Sequence, residues 1–443
     1  VAVLIMACAI QTVAAAADPP GLPIPDTLDL RTAIGFALEN SYAIRQARER
    51  IRQQEGFVIE VKARSVPNAG IDSSYSTFDR GLASLPIPDF PLNTQSWSIA
   101  LNVTQTLYAG GAVRSAIKSS QLARDAAVLD LESVINEALL QVRITFYDVI
   151  LAREQIAVQE SNLRLLQEQL KTATDRFEAG TVSSFEKLRA DVAVSNARVP
   201  LISARNRHRL AIEALRQALG FTTGGATLSG KVPEFSGTLH FTPVNHDLAA
   251  SFDVARASRP DLKRLEKLAA AREQDVRTQR ANRHPTLGLG LGYQFRNDTY
   301  GGNRFSEALD GWTFGLQSNW PIFDGRSTSG RVAQAKSALA QTRLTIAEAR
   351  LAVEVEVRRA FSAWQEATEL AEASQRVVEQ ADEAVRLANA RYRAGTGTQL
   401  DVLQAQVDLT TARNNQIQAY YAYNVAVASL RKATGAPDEL VAR

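Results

Sequence analysis

The sequence has few of the residues on which catalysis and metal binding usually depend. Its one cysteine, Cys8, excludes an intrachain disulfide framework and a cysteine-based zinc site. Lys and Arg total 50 against 47 for Asp and Glu, so a formal net charge of +3 gives no strong field toward nucleic acid. No nucleophile elbow occurs, and metal-ligand spacing is absent among the histidines, which are His208, His240, His246 and His284. We therefore expect no enzyme activity, no cofactor or metal, and no nucleic-acid partner.

Long apolar runs are confined to the start of the chain. Residues 1–17 are apolar and end in small residues before Asp18, which is the pattern of a signal-peptide core and its cleavage site. We expect 1–17 to be a signal peptide whose usual Met and basic residues are missing because the start is truncated. Cys8 is then either discarded with that segment or the acceptor of a degenerate lipoprotein site. Past residue 17 no run of about 18 apolar residues occurs, so any membrane crossing must use strands.

The rest of the sequence contains one unit written twice. A shift of 215 residues aligns Trp97 with Trp312, and a shift of 218 nearer the start of each half aligns Pro67 with Pro285. Such a period is far above the roughly 20 to 50 residues of solenoids and propellers, so each copy must be a larger assembly of helices and strands. The predicted divisions are a first repeat at 18–246, a second repeat at 247–436 and a C-terminal tail at 437–443.

Alternation of apolar with polar or small residues predicts two strands in each repeat. Trp97 and Ile99 begin such a pattern in the first repeat, and Leu287 and Leu289 begin one in the second. The predicted strands are 69–78, 95–108, 286–296 and 312–323. Each is close to the roughly 9 to 11 residues that cross a bilayer when tilted, and aromatic residues lie near strand ends. A lipid-facing sheet is the main interpretation, and a soluble antiparallel sheet is the alternative.

Very long helices follow the strands. From 112 to 179 there is no proline, and apolar residues such as Val128, Ile135 and Val142 recur every seven residues, which is typical of supercoiled helices. At a rise of about 1.5 Å per residue this segment spans on the order of 100 Å, so it indicates a rod or a tube wall. Each long helix stops at a Gly turn, after which a second helix returns. The predicted helical segments are 28–64, 112–179, 183–219, 247–283, 327–394 and 399–434, with an irregular equatorial segment at 220–246 that girdles the helices.

Four strands per chain are too few to close a barrel. An open sheet edge is not tolerated in lipid because its N–H and C=O groups would have no partners. Several chains must therefore share one barrel, and two, three or four copies would give eight, twelve or sixteen strands, among which counting does not choose. The predicted fold class is mainly α with a transmembrane β part, internally duplicated, in which long antiparallel coiled helices form an α-barrel.

The duplicated order resembles the TolC family of outer-membrane efflux and secretion factors over residues 28–436. The motifs that carry the resemblance are RFEAGTVSSFEKLRA from Arg176 and RYRAGTGTQLDVLQAQ from Arg391. The resemblance implies a homotrimer, with a shared twelve-strand β-barrel in the outer-membrane lipid above a twelve-helix periplasmic tube. It also implies docking to a periplasmic adaptor (a membrane fusion protein) and to an inner-membrane pump of RND or ABC type.

The expected function is therefore a passive outer-membrane conduit for the efflux of small molecules such as drugs or metabolites. A type I protein secretion duct is the alternative within the family, because cargo is chosen largely by the pump. A periplasmic coiled-coil adaptor or scaffold without a pore is the alternative outside it.

The resemblance also implies where such a channel is closed. Similar channels close at the periplasmic end with inward-coiled hairpins and a ring of carboxylates, whose first acid falls on Asp401 and whose second falls on Gln404. Gly397 stands where some members carry a basic latch residue, and Glu186 and Tyr392 occupy positions that can hydrogen-bond between neighbouring hairpins. A ring of Asp401 would favour cations, and the alternative is an Asp on a solvated helix face.

The hairpin tips are the expected adaptor contacts, since only these exposed ends face the inner membrane. A purely structural left-handed cap is the alternative for each glycine. The tip residues are Gly180, Thr181, Gly395, Thr396 and Gly397.

Overall fold

The computed structural model describes residues 27–79, 81, 94–220, 233–297, 308–438 and 440. Its first half comprises β1 (Thr27–Leu28), α1 (Leu30–Asn40), α2 (Tyr42–Ala63), β2 (Asn68–Thr77), β3 (Gln95–Ala109), α3 (Ala112–Glu178) and α4 (Ser184–Leu219). Its second half comprises β4 (Glu234–Phe235), α5 (Leu248–Ser258), α6 (Pro260–Ala281), β5 (Thr286–Arg296), β6 (Leu309–Asn319), α7 (Ser327–Arg393) and α8 (Gln399–Thr434). The mainly helical class is as predicted. The predicted signal peptide and Cys8 lie outside the described residues.

The two longest helices set the scale of the molecule. α3 and α7 have 67 residues each, so each spans on the order of 100 Å. Their heptad positions face partner helices: Val142 and Val149 of α3 and Val357 of α7 are fully buried. α3 packs against α4 and α7 packs against α8, while α3 also contacts α6 and α8. On the side of the hairpin turns, the helices therefore form a row in the order α4, α3, α8, α7, here called the lower row. On the side of the sheet, they form an upper row in the order α2, α3, α6, α7.

The short helices of each half are interrupted at one position. The predicted segment 28–64 divides into α1 and α2 at Ser41, and 247–283 divides into α5 and α6 at Arg259, where the next residue is a proline that disfavours helical backbone before it. The ends of α4 and α8 press on these two junctions. A Cβ at Gly220 (φ +79°) would lie 2.5 Å from the Asn40 carbonyl oxygen, and one at Gly435 (φ +65°) 3.1 Å from Arg259. Glycine is required at both contacts.

Four strands form one antiparallel sheet in the order β2-β3-β5-β6. The four helices that adjoin the strands all meet the sheet at the same end of its strands. This end, here called the helix end of the sheet, contains Asn68, Ala109, Thr286 and Asn319. The predicted strand 312–323 is wrong in its bounds, because β6 ends at Asn319. Pro321 has no N–H for the ladder, so pairing stops before it.

The two faces of the sheet differ in chemistry. One face carries large apolar side chains that no described element covers, among them Trp312 and Phe314, which are 73% and 75% exposed. The other face carries mostly Gly, Ser, Thr and Asn, with a hydrogen bond of 2.6 Å from Asn102 Nδ2 to Asp72 Oδ2. In the part of the chain that the structure describes, no helix has both the length and the apolar character needed to span a membrane.

The core lies where the two halves join. β1 and β4 form a short parallel pair, and Leu28 is buried in a cluster with residues of α1, α3 and α4. Arg153 of α3 donates to the carbonyl oxygens of Phe235, at 2.5 Å, and Gly237, while Tyr423 of α8 donates to that of Thr242. The equatorial segment thus crosses α3 and α8, and it includes a strand that the sequence did not predict.

The residues after α8 are tied to the same region. Arg143 Nη1 lies 2.6 Å from Asp438 Oδ2, and both side chains are more than nine-tenths buried. The described part of the predicted tail is therefore held against α3 by a buried ion pair.

Candidate gate at the hairpin ends

The two hairpin turns are built from the same bonds. Gly180 (φ +73°) follows α3 and Gly395 (φ +76°) follows α7, and both adopt the left-handed conformation that ends a helix. The next amide, of Thr181 or Thr396, donates to the carbonyl five residues earlier at 2.9 or 3.0 Å. These four residues are exposed at the turn. The conformation fits a structural cap, and the exposure leaves the same atoms open to a partner.

Asp401 caps the helix that follows the second turn. Its Oδ2 accepts from the Thr398 amide and hydroxyl, both at 2.8 Å, while its own amide donates to the Thr398 hydroxyl at 3.2 Å. This reciprocal capping box fixes the start of α8. The Thr398 backbone and side-chain hydrogen bonds lower the pKa of Asp401 below its ordinary value. The exposed carboxylate therefore stays ionised into more acidic solution than a free aspartate does.

A second carboxylate shares the exposed face of α8 with Asp401. Gln404 is exposed, and its Nε2 donates to Oδ1 of Asp408 at 3.0 Å. Asp408 lies seven residues after Asp401, so the two acids lie on the same side of the helix. Asp408 was not predicted from the sequence, although its seven-residue spacing from Asp401 was a signal for it. Gln404 positions an acid rather than supplying one.

Gly397 lies where the second turn folds back on itself. Its amide donates to the Arg391 carbonyl at 3.2 Å, and a Cβ added here would lie 3.0 Å from the Cβ of Arg391. A side chain would therefore displace the last turn of α7. This turn has no room for a basic latch residue at 397.

The structure brings Tyr392 to Arg176 and leaves Glu186 apart. The Arg176 guanidinium lies over the Tyr392 ring, 4.7 Å from its centroid, so a cation–π contact joins α3 to α7. Glu186 lies in the first turn of α4, and its Oε2 is buried with no hydrogen-bond partner among the described residues. No sequence signal pointed to Arg176 as the partner, because the contact joins residues more than 200 positions apart.

A groove of about 480 Å³ separates the two hairpins next to this contact. It is lined by polar side chains of α3, α7 and α8, including Arg176, Tyr392 and Gln399. On its wall Gln169 Nε2 donates to Gln406 Oε1 at 3.3 Å. Beside the groove, one cation–π contact and one amide pair join the two hairpins, and Leu403 of α8 adds an apolar contact with the first hairpin.

These groups can attract ions and hold two hairpins together. Among the residues that the structure describes, no group of three or more His, Cys, Asp or Glu side chains could hold a metal ion. The carboxylates of Asp401 and Asp408 would raise the local concentration of cations.

Known proteins match nearly the whole chain. The profile of the family described as "Outer membrane efflux protein" matches residues 33–221 and 252–436. Protein CyaE of Bordetella pertussis is 26% identical over 401 residues, which cover 90% of this chain and 82% of that protein. Outer membrane efflux protein BepC of Brucella suis is 26% identical, with 92% and 85% covered. Pyoverdine export outer membrane protein OpmQ of Pseudomonas putida is 27% identical, with 92% and 86% covered.

Solved structures match the fold over the same range. The outer-membrane channel OprN superposes with a TM-score of 0.78 at 20% identity, covering 92% of this chain and 90% of that one. The CmeC outer membrane channel of Campylobacter jejuni superposes with a TM-score of 0.79 at 16% identity, covering 92% and 87%. At these identities the likeness concerns the fold alone.

Proposed function

Because this chain belongs to the outer membrane efflux protein family, we propose that three copies form one continuous conduit through which small molecules leave the cell. The chain is an outer-membrane channel of an export system, with its long helices in the periplasm. The observation that carries the finer proposal is the sheet, which exposes an apolar face and whose two edge strands pair with no other described strand on their outer sides.

The sheet fits a shared barrel. Its exposed apolar face suits lipid, and its Gly-, Ser- and Thr-rich face suits a water-filled lumen. β2 and β6 are the edges, and their free N–H and C=O groups need partners in a bilayer. Pairing β6 of one copy with β2 of the next satisfies both edges by one repeated head-to-tail contact, which closes into a ring.

The helices favour the same contact. α4 and α7 are the outer helices of the lower row, and each carries exposed apolar residues. On α4 the residues exposed by 60% or more are Phe185, Leu188, Val199, Ile202 and Leu210. On the part of α7 that lies beside α8, the exposed apolar residues include Leu370, Val377 and Leu387, each about half exposed. A neighbouring copy would cover the α4 face with its α7. Two, three or four copies satisfy this geometry, and the choice of three, with twelve strands and twelve tube helices, comes from the family resemblance.

The hairpin ends then form the periplasmic gate. Asp401 and Asp408 would be repeated once per copy around the opening, and the Arg176–Tyr392 contact would hold neighbouring hairpins in the closed state. The turns at Gly180 and Gly395 would meet a periplasmic adaptor, through which an inner-membrane pump of RND or ABC type delivers cargo.

Small molecules are the favoured cargo because the relative named for pyoverdine export matches more of this chain than the relative named for protease secretion does. OpmQ is named for pyoverdine export, and the match covers 92% of this chain. Alkaline protease secretion protein AprF of Pseudomonas aeruginosa matches 68% of it. Protein secretion is therefore the second candidate.

Planar-bilayer recording of the purified protein tests this proposal. We expect low-conductance, cation-preferring channels, because the gate is closed and lined by carboxylates, and native mass spectrometry should give three times the chain mass. Recovery as a soluble periplasmic protein that adds no conductance would reject the channel. A two- or four-fold mass would reject the trimer alone.

A further inference from the structure

Basic side chains collect where the helices meet the sheet. Here α2 and α6 end and α3 and α7 begin. These helix ends contain ten Lys and Arg residues but only three acids, Glu60, Asp275 and Asp324, over residues 60–66, 110–118, 275–284 and 324–336. All ten are exposed. This basic collar comprises Lys62, Arg64, Arg114, Lys118, Arg277, Arg280, Arg283, Arg326, Arg331 and Lys336.

The collar lacks the acidic partners found further along the same helices. Its residues form no ion pair with another described residue, and Arg283 and Arg331 reach only the hydroxyls of Ser329 and Ser327. Nearer the equator, by contrast, Arg343 pairs with Glu273 at 2.8 Å and Arg350 with Glu266 at 3.1 Å. The ten charges of the collar are therefore available to an anion outside the chain.

The collar adjoins the end of the apolar face. Trp320 continues the alternation of Trp312 and Phe314, and its indole N–H donates to the Arg283 carbonyl at 3.2 Å. Ile322 and Phe323, which follow it, are more than four-fifths exposed. An aromatic residue followed by cations at the edge of an apolar surface is the arrangement of a bilayer interface. At the opposite end of the sheet the described charges are mixed, with Asp79, Arg296 and Asp310.

We propose that the basic collar binds the phosphate groups of anionic phospholipids in the leaflet that faces the helices. Arg forms paired hydrogen bonds to phosphate oxygens, and cations near an anionic membrane surface are attracted additively. Long Lys and Arg stems can follow the apolar surface while their charges reach the headgroups. The collar thereby fixes how deeply the sheet sits in the bilayer. This inference rests on the proposed placement of the sheet in lipid.

Competitive lipid binding tests the proposal. The purified full-length protein is incubated with equal amounts of phosphatidylglycerol and phosphatidylcholine, and native mass spectrometry gives the ratio of the bound lipids. The collar variant exchanges one cation at each helix end: Arg64→Gln, Arg114→Gln, Arg283→Gln and Arg331→Gln. The matched control removes four exposed cations far from the sheet: Arg164→Gln, Lys171→Gln, Arg209→Gln and Arg376→Gln.

We expect the parent and the control to prefer phosphatidylglycerol, and the collar variant to lose that preference by about tenfold, with added salt weakening it in the parent. A collar variant that keeps the parent's ratio overturns the inference. So does a parent that shows no preference but is thermally stabilised by soluble peptidoglycan fragments, which would assign the cations to the cell wall.

Insertion into neutral phosphatidylcholine vesicles separates this inference from the proposed function. Failure of the parent to insert would reject the proposed function itself. Insertion of the parent and both variants, without any difference in lipid preference, would reject the collar alone and show that the variants fold.

Discussion

α4 and α8 are the same helix in two environments. Each has 36 residues and follows a Gly turn, and a shift of 215 residues aligns them. Ile202 of α4 is 67% exposed, whereas Ile417, at the same position of α8, packs against the equatorial core. Leu188 is exposed in the same way, while its counterpart Leu403 packs against residues of the first hairpin.

The difference arises from the neighbours and not from the helices. α8 lies between α3 and α7 of its own chain, while α4 has α3 on one side and nothing described on the other. One apolar stripe is thus covered within the chain, and the other is left uncovered by the described residues. An apolar pattern therefore identifies a contact face without telling whether the partner belongs to the same chain.

The largest effect on this comparison is expected where Asp438, which follows α8, is held against α3. Arg143→Met removes the nearer of the two cations that pair with the buried Asp438 and leaves Arg431, 3.6 Å away, so it should cost about 3 kcal/mol of unfolding free energy. Arg358→Met, at the same position of α7, removes an exposed pair with Glu354 and a cation–π contact with Phe252, and should cost about 1 kcal/mol. Denaturant unfolding at fixed protein concentration measures both. Equal costs would contradict a role for burial.

The pH dependence of the same pair has a definite sign. Burial alone would raise the pKa of Asp438, but hydrogen bonds from Arg143 and the Leu440 amide, together with the charges of Arg143 and Arg431, hold the pKa below its ordinary value. A depressed folded-state pKa gives stability that is complete above the unfolded pKa and is lost as pH falls through the folded one. The advantage of the parent over Asp438→Asn should thus persist at neutral pH and vanish only in acid below the ordinary aspartate range. A constant difference would argue against the ion pair.

A charge on the exposed stripe sharpens the comparison at the level of assembly. Ile202→Glu would place a carboxylate in the proposed contact between copies and lose burial of about 1.5–3 kcal/mol per interface. We expect the assembled fraction to fall while each chain keeps its helical content, as native mass spectrometry and circular dichroism would report. Ile202→Met is the matched control and should assemble normally. If the Glu variant assembles like the parent, α4 does not face another copy.

The smallest effect is expected from the two acids near the start of α8, Asp401 and Asp408. Asp401→Asn removes a carboxylate at the proposed gate, so the cation-to-anion permeability ratio should fall by about twofold, and Asp408→Asn should act similarly. Because hydrogen bonds from Thr398 lower the pKa of Asp401, the parent's preference should survive mild acidification. Asp191→Asn, which removes an exposed carboxylate from α4, is the control. Unchanged selectivity in both α8 variants would remove these acids from the gate.

Much of the fold followed from periodic patterns, because these report local geometry. The heptads of residues 112–179 belong to the 67-residue α3, and the two-residue alternation near Trp97 belongs to β3. The mainly helical class and the family likeness are both confirmed. Four features depend on contacts distant in sequence and lacked such a signal: the β1–β4 pair, the burial of Asp438, the Arg176–Tyr392 contact and the basic collar.

The gate was the least predictable region. The positions of Asp401, Gln404 and Glu186 came from resemblance, and their role in gating stays a prediction. Resemblance did not reveal that Asp401 serves as a helix cap or that Gln404 supports Asp408, because both follow from local hydrogen bonds.

The matched lengths of the helices have a mechanical consequence. Since α3 equals α7 and α4 equals α8 in residue number, both turns finish at one height, and a ring of copies would end in a level rim. A flat rim can press evenly on whatever it abuts. Lengthening the helices of one hairpin alone would make every second turn of the ring protrude. The two halves of the chain are therefore constrained to change length together.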